Sequence, residues 1–166
     1  MPVLVSYATK HGSTQDVAEA IAETLDASGL NVDVLPARRV TDIGPYDAVV
    51  LGGSLYMGRW HRDALRLLRR HADALGRRPL ALFAMGPMSL EPGELESARR
   101  QLERSLHSVP HLSPVSTAVF GGVVDPSELR FPLNRMPATD ARDWDAITAW
   151  AQELAPRFAA PGLGVR

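Results

Sequence analysis

The sequence contains no cysteine, few aromatic residues and no long apolar run. Without cysteine there is no disulfide, no thiolate nucleophile, no cysteine-bound metal and no iron–sulfur cluster, so redox chemistry would need a bound cofactor. No stretch reaches the roughly 20 apolar residues that span a bilayer. The N-terminus lacks the basic region and apolar segment of a signal peptide. We therefore expect a cytoplasmic protein.

The size and composition suit one globular domain. The chain has 166 residues, of which 45% are hydrophobic and 22% are charged, which is ordinary for a globular protein. Its net charge of −1 indicates no partner by itself. We predict a single domain over residues 1–160, followed by a loose C-terminal tail over residues 161–166.

Apolar, β-branched segments alternate with segments of helical periodicity. The predicted strands cover residues 3–7, 31–35, 47–51, 79–84 and 115–120, and the predicted helices cover residues 14–28, 60–75, 94–106 and 140–158. Continuously apolar strands are typical of a sheet that is covered on both faces. The alternation predicts an α/β fold, a three-layer sandwich with a five-stranded parallel sheet of order 2-1-3-4-5. Its ligand site would lie beyond the C-terminal ends of the first and third strands.

The loop after the first strand has the chemistry of a phosphate site. Residues 9–14 contain the hydroxyls of Thr9, Ser13 and Thr14, with one lysine and one glycine, and they lead directly into a helix. The first N–H groups of a helix lack partners within it, and the helix dipole makes this end positive. Because the Walker and dinucleotide-binding glycine patterns are both missing, the loop suits one terminal phosphate. Alternatively, Ser13 or Thr14 only caps the helix.

Arginines are concentrated in the middle of the chain. Seven lie between residues 59 and 78, where only Asp63 and Asp73 oppose them. These are Arg59, Arg62, Arg66, Arg69, Arg70, Arg77 and Arg78. One interpretation is a solvated helix face. The other is a docking surface for an acidic partner or an anionic membrane, whereas nothing in the pattern suggests nucleic acid.

Three segments resemble flavodoxin-like FMN proteins. Residues 9–14 resemble the phosphate loop of that family. Residues 49–61 more narrowly resemble the second loop of menaquinone-dependent protoporphyrinogen oxidases and their flavodoxin-domain relatives. Residues 142–147 are similar to the same group. The resemblance covers nearly the whole chain and implies FMN as cofactor and a redox role.

Two departures from these relatives keep the function open. Residues 121–138 are shorter than the long basic and aromatic insertion of the protoporphyrinogen oxidases. Residues 85–92, the third loop, lack the aromatic residue that electron-carrier flavodoxins place against the flavin, and the chain is not acidic as those carriers are. The resemblance therefore allows an FMN-dependent oxidoreductase acting on a porphyrinogen or a quinone, an electron carrier that docks on a redox partner protein, or a flavin-free binding module.

The resemblance assigns a part of FMN to each loop. The phosphate would contact the first loop, whose members are Thr9, Lys10, His11, Gly12, Ser13 and Thr14. The isoalloxazine ring would lie over the second loop, whose members are Gly53, Ser54, Leu55, Tyr56, Met57, Gly58 and Trp60. Met85 and Gly86 would border the other side of the ring.

Tyr56 and Trp60 are the candidate stacking partners of the ring, although Trp60 could instead pack against the protein. We predict a loop over residues 52–58, in which Gly52, Gly53 and Gly58 would permit tight turns and a close approach to the ring. The histidines show no metal-binding spacing, so we predict no metal site. No side-chain acid or base stands out as catalytic, and the electrons would pass through the cofactor.

Overall fold

The computed structural model describes residues 1–9, 12–86, 90–124, 135 and 138–159. Its elements, with η denoting a 3₁₀ helix, are β1 (Pro2–Ala8), α1 (Ser13–Ala27), β2 (Asn31–Pro36), η1 (Ala37–Arg39), β3 (Ala48–Tyr56), β4 (Arg59–Trp60), α2 (Arg62–Arg70), α3 (Ala72–Leu75), β5 (Leu80–Met85), α4 (Pro92–Ser105), η2 (Leu106–Ser108), β6 (Ser116–Phe120), β7 (Val123–Val124), β8 (Thr139–Asp140) and α5 (Trp144–Ala159). The predicted tail, residues 161–166, lies outside the described residues.

The main sheet has five parallel strands in the order β2-β1-β3-β5-β6. Numbered along the chain, these parallel strands have the order 2-1-3-4-5, so the predicted fold class is confirmed. The short strand β4 pairs with β3 in the antiparallel direction, and β7 and β8 form a separate two-stranded sheet. The winding direction reverses between β1 and β3, which is where ligands bind in sheets of this type.

Each face of the sheet has its own hydrophobic core. In β1, Val3 and Val5 belong to the core that includes α1 and α5, whereas Leu4 between them belongs to the core that includes α2 and α4. Successive side chains of a strand point to opposite faces, so a strand covered on both faces must be apolar at every position. This is the physical reason for the unbroken apolar segments of the sequence.

Helix α1 begins beside the C-terminal edge of the sheet and runs back along it. Its buried positions follow the helical period, and they are Thr14, Val17, Ala18, Ile21, Ala22 and Leu25. The helix ends two residues before Gly29, whose φ of +94° favours glycine. The turn then leads to Asn31, which starts β2. Within the described ranges, no helix is long and apolar enough to cross a membrane.

The structure corrects three predicted boundaries. The third parallel strand continues through Tyr56, so the predicted loop over residues 52–58 is mostly strand. The predicted helix over residues 60–75 begins at Arg62, because the two residues before His61 pair with β3, and it is interrupted at His71. The predicted start of the last helix at residue 140 is wrong, because Thr139–Asp140 pairs with β7.

Candidate functional site

The three predicted loops meet at the C-terminal edge of the sheet. Ala8, the last residue of β1, is in register with Gly53, and Ser54 is in register with Met85. The strands β1, β3 and β5 therefore deliver their following loops side by side. The predicted ligand position, beyond the first and third strands, lies at this edge.

The first loop leaves the start of α1 without a side-chain cap. Gly12 occupies the N-cap position with a φ of +90°, and no side chain caps the helix there. The Gly12 N–H donates instead to Thr9 Oγ1, at 2.9 Å. Thr9 thus shapes the loop by accepting this bond, and its own hydroxyl hydrogen can still be donated. The N–H groups of the first helical turn point outward at the positive end of the helix dipole.

Thr14, in the first turn of α1, has an orphaned hydroxyl. The residue is 0% exposed, and Oγ1 has no hydrogen-bond partner within the part of the chain that the structure describes. A buried hydroxyl without a hydrogen-bond partner is uncommon. A ligand that places an acceptor atom beside Oγ1 would satisfy it. This orphaned hydroxyl and the uncapped helix fit a phosphate group. Lys10 and His11, also predicted for this loop, lie outside the described residues.

The second loop is a β-hairpin. The chain turns through Met57 and Gly58, with φ values of 51° and 78°, and Arg59 returns opposite Tyr56. Two central residues with positive φ define a type I′ turn, which matches the twist of a two-residue hairpin. Gly58 is suited to this conformation, whereas Met57 adopts it against its preference. The hairpin tip is thereby held clear of the sheet edge.

Trp60 is a core residue of this structure. Its side chain is 2% exposed, and the indole Nε1–H donates to the Gly53 carbonyl oxygen at 3.0 Å. A Cβ on Gly53 would lie 2.7 Å from Trp60 Nε1. This close packing holds the indole beneath the hairpin and favours the alternative interpretation, in which Trp60 packs against the protein. Stacking of Trp60 on the ring and contact of Gly53 with the cofactor stay predictions.

Tyr56 and Met57 are the exposed side chains of the hairpin. Tyr56 is 54% exposed and Met57 is 83% exposed. The predicted stacking role of Tyr56 stays a prediction. The neighbouring Leu55 faces the opposite way, toward α4 and Gly86.

The third loop begins at two residues with different surroundings. Met85 is 1% exposed and its side chain packs in the core with α1 and α5, and its place beside the ring stays a prediction. Gly86 donates its N–H to the Phe120 carbonyl oxygen, at 3.2 Å. A Cβ on Gly86 would lie 2.7 Å from Leu55 Cβ. Gly86 therefore permits the close contact between the hairpin and the end of β5.

A cavity of about 270 Å³ lies between the hairpin and α4. Four of its lining residues belong to the predicted site, and these are Leu55, Met57, Gly58 and Gly86. Four others come from α4 and were missed, namely Glu94, Ser97, Ala98 and Gln101. The topology could have indicated them, because the helix that follows β5 must begin at the same edge of the sheet. The lining combines apolar surface with hydroxyl, amide and carboxyl groups.

Arg142 forms an ion-pair network beside the first loop. Its Nη1 lies 3.2 Å from Asp16 Oδ2, and its Nη2 lies 2.8 Å from Asp140 Oδ2. The guanidinium carbon also lies 4.9 Å from the centre of the Trp144 ring. Hydrogen bonding to Arg142 lowers the pKa of Asp140, and the reciprocal bond raises the pKa of Arg142. The network fixes a cation near the first turn of α1.

Two of the described histidines, His61 and His71, are partly buried. His61 Nδ1 accepts from the Asp63 N–H at 3.1 Å and so caps α2, and burial lowers the pKa of His61. Burial also lowers the pKa of His71. Among the residues with described positions, no three His, Asp or Glu side chains could hold a metal ion together.

Comparison with known sequences gives relatives of nearly the same length. Protoporphyrinogen IX dehydrogenase (quinone) of Escherichia coli strain K12 is 24% identical over 177 aligned positions, which cover 93% of this chain and 95% of the relative. The protein of the same name from strain O157:H7 matches with the same identity and coverage.

Comparison with solved structures gives flavodoxins. An archaeal flavodoxin superposes with a TM-score of 0.64 at 15% sequence identity, covering 96% of this chain and 100% of that protein. A mutant flavodoxin from Pseudomonas aeruginosa superposes with a TM-score of 0.63 at 18% identity, with the same coverage. At these identities the likeness concerns the fold.

The model of the flavodoxin domain family matches residues 4–136. The match contains the uncapped start of α1, the β3–β4 hairpin and the strand order described above. Because it covers most of the sequence and agrees with the fold, the chain belongs to the flavodoxin domain family of FMN-binding redox proteins.

Proposed function

We propose that this protein is an FMN-dependent oxidoreductase that passes electrons from a reduced substrate to a quinone. Membership of the flavodoxin domain family supports the cofactor and the redox role. The name of the Escherichia coli relatives, protoporphyrinogen IX dehydrogenase (quinone), supports a porphyrinogen as the substrate and a quinone as the acceptor. The observation that carries the proposal is that two features lie at the same edge of the sheet. They are the uncapped start of α1, with its orphaned Thr14 hydroxyl, and the exposed hairpin.

The first loop would bind the phosphate of FMN. The N–H groups of the first turn of α1 and the hydroxyls of Ser13 and Thr14 would donate to the phosphate oxygens, and Lys10 would add charge. The buried Thr14 hydroxyl would gain the partner that it otherwise lacks. The conformation of Gly12 allows the backbone to come close to the phosphate.

The hairpin would hold the ring and exclude water from one side of it. Tyr56 offers an aromatic surface, and the backbone of residues 54–58 offers donors and acceptors for the polar edge of the ring. When bound, FMN supplies the capacity to accept one or two electrons.

The cavity between the hairpin and α4 is a suitable place for the acceptor. Leu55 and Ala98 provide apolar contacts, and Ser97 and Gln101 provide groups that can donate to a carbonyl oxygen. A quinone has a flat apolar body with carbonyl oxygens at opposite ends. The volume of about 270 Å³ is slightly below the range of roughly 300–1,000 Å³ that is usual for small-molecule sites, so it suits a small quinone head group.

The first test is the visible spectrum of the purified protein before and after the addition of FMN. A shifted flavin absorption band with a saturable titration is expected. If FMN produces no spectral change and no binding heat, the redox proposal is wrong and a flavin-free binding module becomes the better interpretation.

The second test separates an enzyme from an electron carrier. The FMN-loaded protein is mixed anaerobically with protoporphyrinogen IX and menadione, and porphyrin fluorescence is followed. Fluorescence that grows with catalytic turnover supports the oxidoreductase. A protein that binds FMN but gives no turnover, while exchanging electrons with redox proteins, would instead be a carrier.

A further inference from the structure

The two arms of the hairpin place Arg59 and Tyr56 on one face. Strands β3 and β4 pair in the antiparallel direction, with Tyr56 in register with Arg59 and Leu55 in register with Trp60. Directly opposite residues of an antiparallel pair project from the same face, with Cβ atoms roughly 5 Å apart. The Arg59 side chain therefore starts beside that of Tyr56, whereas Leu55 and Trp60 share the other face.

The face that carries Arg59 is on the α1 side of the sheet. Side chains alternate along β3, so that Val50 belongs to the core with α1 and α5, and Leu51 belongs to the core with α2 and α4. Continued along β3, the alternation puts position 56 on the side of Val50, and it puts Leu55, which packs against the second core, on the side of Leu51. Arg59 consequently stands on the side of the sheet where FMN is proposed to bind.

The Arg59 side chain is an exposed cation on a well-anchored backbone. Among the residues that the structure describes, no carboxylate pairs with it. The next residue, Trp60, is buried and donates to the Gly53 carbonyl oxygen at 3.0 Å. The N–H of His61 donates to the Ser54 carbonyl oxygen at 2.9 Å. A guanidinium that is held in this way beside a ligand site is suited to bind an anionic group of a ligand.

The position of Arg59 separates it from the phosphate site. Ala8, the last residue of β1, is in register with Gly53, and Tyr56 lies three residues further along β3. At about 3.3 Å per residue, Tyr56 and its partner Arg59 stand roughly 10 Å beyond the end of β1. The phosphate of FMN would lie at the first loop, close to that end. Arg59 is thus placed to meet an anion that approaches the outer part of the site.

We propose that Arg59 is a specificity-determining residue that binds a carboxylate of the reduced substrate. The inference rests on the proposed function, in which the substrate is a porphyrinogen, an apolar macrocycle with propionate side chains. The exposed Met57 at the hairpin tip offers apolar contact to the macrocycle. A propionate at its rim would accept two hydrogen bonds from the Arg59 guanidinium. Arg59 would thereby select carboxylated substrates and fix their orientation on the hairpin.

The first test compares two substrates that differ in charge. The FMN-loaded protein oxidises either protoporphyrinogen IX or its dimethyl ester, anaerobically with menadione and in the same detergent. Arg59→Gln should raise KM for the diacid about ten-fold and change its kcat less than about two-fold. Both constants for the diester should stay unchanged, because the ester offers no charge to the guanidinium. Equal changes for both substrates, or no change for either, would overturn the proposal.

Equilibrium binding tests Arg59 without turnover. Protoporphyrin IX, the oxidised product, carries the same two carboxylates, and porphyrin fluorescence reports its binding to the protein in the presence of FMN. Arg59→Gln should weaken this binding about ten-fold and leave binding of the dimethyl ester unaffected. Binding that depends on Arg59 in a protein without turnover would support the carboxylate site and contradict the proposed oxidoreductase. Turnover and porphyrin binding that are both independent of Arg59 would do the reverse.

Arg66→Gln is the matched control, because Arg66 is another exposed arginine and lies in α2, beyond the hairpin. It removes the same charge, so a KM increase equal to that of Arg59→Gln would mean that net charge alone matters and would overturn the proposal. Arg59→Lys should recover only part of the affinity, because lysine keeps the charge but not the paired hydrogen bonds. FMN titration of Arg59→Gln should give the natural affinity. A loss of FMN affinity would place Arg59 at the cofactor and refute its role toward the substrate.

Discussion

The Arg142 guanidinium, two residues before α5, is paired with Asp16 at the start of α1. Arg142 Nη1 lies 3.2 Å from Asp16 Oδ2, although the two residues are 126 positions apart in the sequence. Asp16 lies in the first turn of α1, where a phosphate would bind and where a free carboxylate would repel it. Asp140 and the Trp144 ring hold the guanidinium in place. Arg142 therefore offsets the charge of Asp16 at the edge of the first loop.

Arg142→Gln should weaken FMN binding about two- to five-fold at low salt, because Asp16 would then repel the phosphate without compensation. Riboflavin, which lacks the phosphate, should bind equally to both forms. The double variant Arg142→Gln with Asp16→Asn should restore the FMN affinity. Flavin fluorescence titration measures all of these affinities.

A purely structural role for Arg142 would give another pattern. Loss of the contacts with Asp140 and Trp144 would then lower the affinities for FMN and riboflavin together, and the added Asp16→Asn change would not restore them. That result would contradict the electrostatic explanation.

Thr14→Val should leave the flavin-free protein as stable as the natural one, or stabilise it by up to about 1 kcal/mol. The reason is that the replaced hydroxyl is buried and has no partner among the described residues, so its removal relieves a desolvation cost. FMN affinity should fall about ten- to hundred-fold through loss of a hydrogen bond to a charged group. Urea unfolding and flavin titration provide the two measurements. A large loss of stability together with unchanged FMN affinity would refute the role of Thr14.

Trp60→Phe should mainly lower the stability of the fold, whereas Tyr56→Ala should mainly weaken flavin binding. Trp60→Phe removes the buried donation to the Gly53 carbonyl oxygen and part of the packing beneath the hairpin, and it should destabilise the fold by about 2 kcal/mol. Tyr56→Ala changes an exposed side chain, so it should alter stability little and weaken flavin binding several-fold. Thermal unfolding and riboflavin titration compare them. Unchanged riboflavin affinity in Tyr56→Ala would exclude stacking by this ring.

Deprotonation of Tyr46 should make the protein less stable in alkali. Its hydroxyl donates to Asp33 Oδ2 at 2.8 Å, and burial, followed by that carboxylate, raises its pKa from 10.0 to about 12. Because the folded state keeps the proton longer than the unfolded state, this contribution is complete below about pH 10 and is lost as the pH rises through 12. Urea unfolding of the natural protein and of Tyr46→Phe tests this. Parallel alkaline losses in both proteins would show that another group is responsible.

The strand order was predictable because the central parallel strands, β1, β3 and β5, are buried on both faces over most of their length. That burial demands apolar residues at every position, as in the segment of residues 47–51, and the segments between the strands show helical periodicity. The position of the first loop at the start of α1 was also predictable, because hydroxyls and a glycine immediately precede its apolar period, but whether Ser13 or Thr14 caps the helix was left open. FMN binding by the individual loop residues stays a prediction.

The hairpin was not predictable in the same way. Gly52 and Gly53 indicate a loop when only local sequence is considered, but both lie within β3. A Cβ on Gly52 would lie 1.9 Å from the Phe83 ring, so the residue is glycine because a distant strand packs against it. Periodicity and turn chemistry do not contain this information, since it depends on which strand becomes the neighbour.

The sequence by itself determined the layers, the strand order and the position of the first loop, because burial of each element and the ends of each helix are encoded locally. Only the tertiary structure decided that Trp60 belongs to the core, that α4 completes the cavity and that Arg142 meets Asp16. These relationships join residues that are far apart in the chain. Their energies depend on distance and solvent exposure, which exist only once the elements have packed.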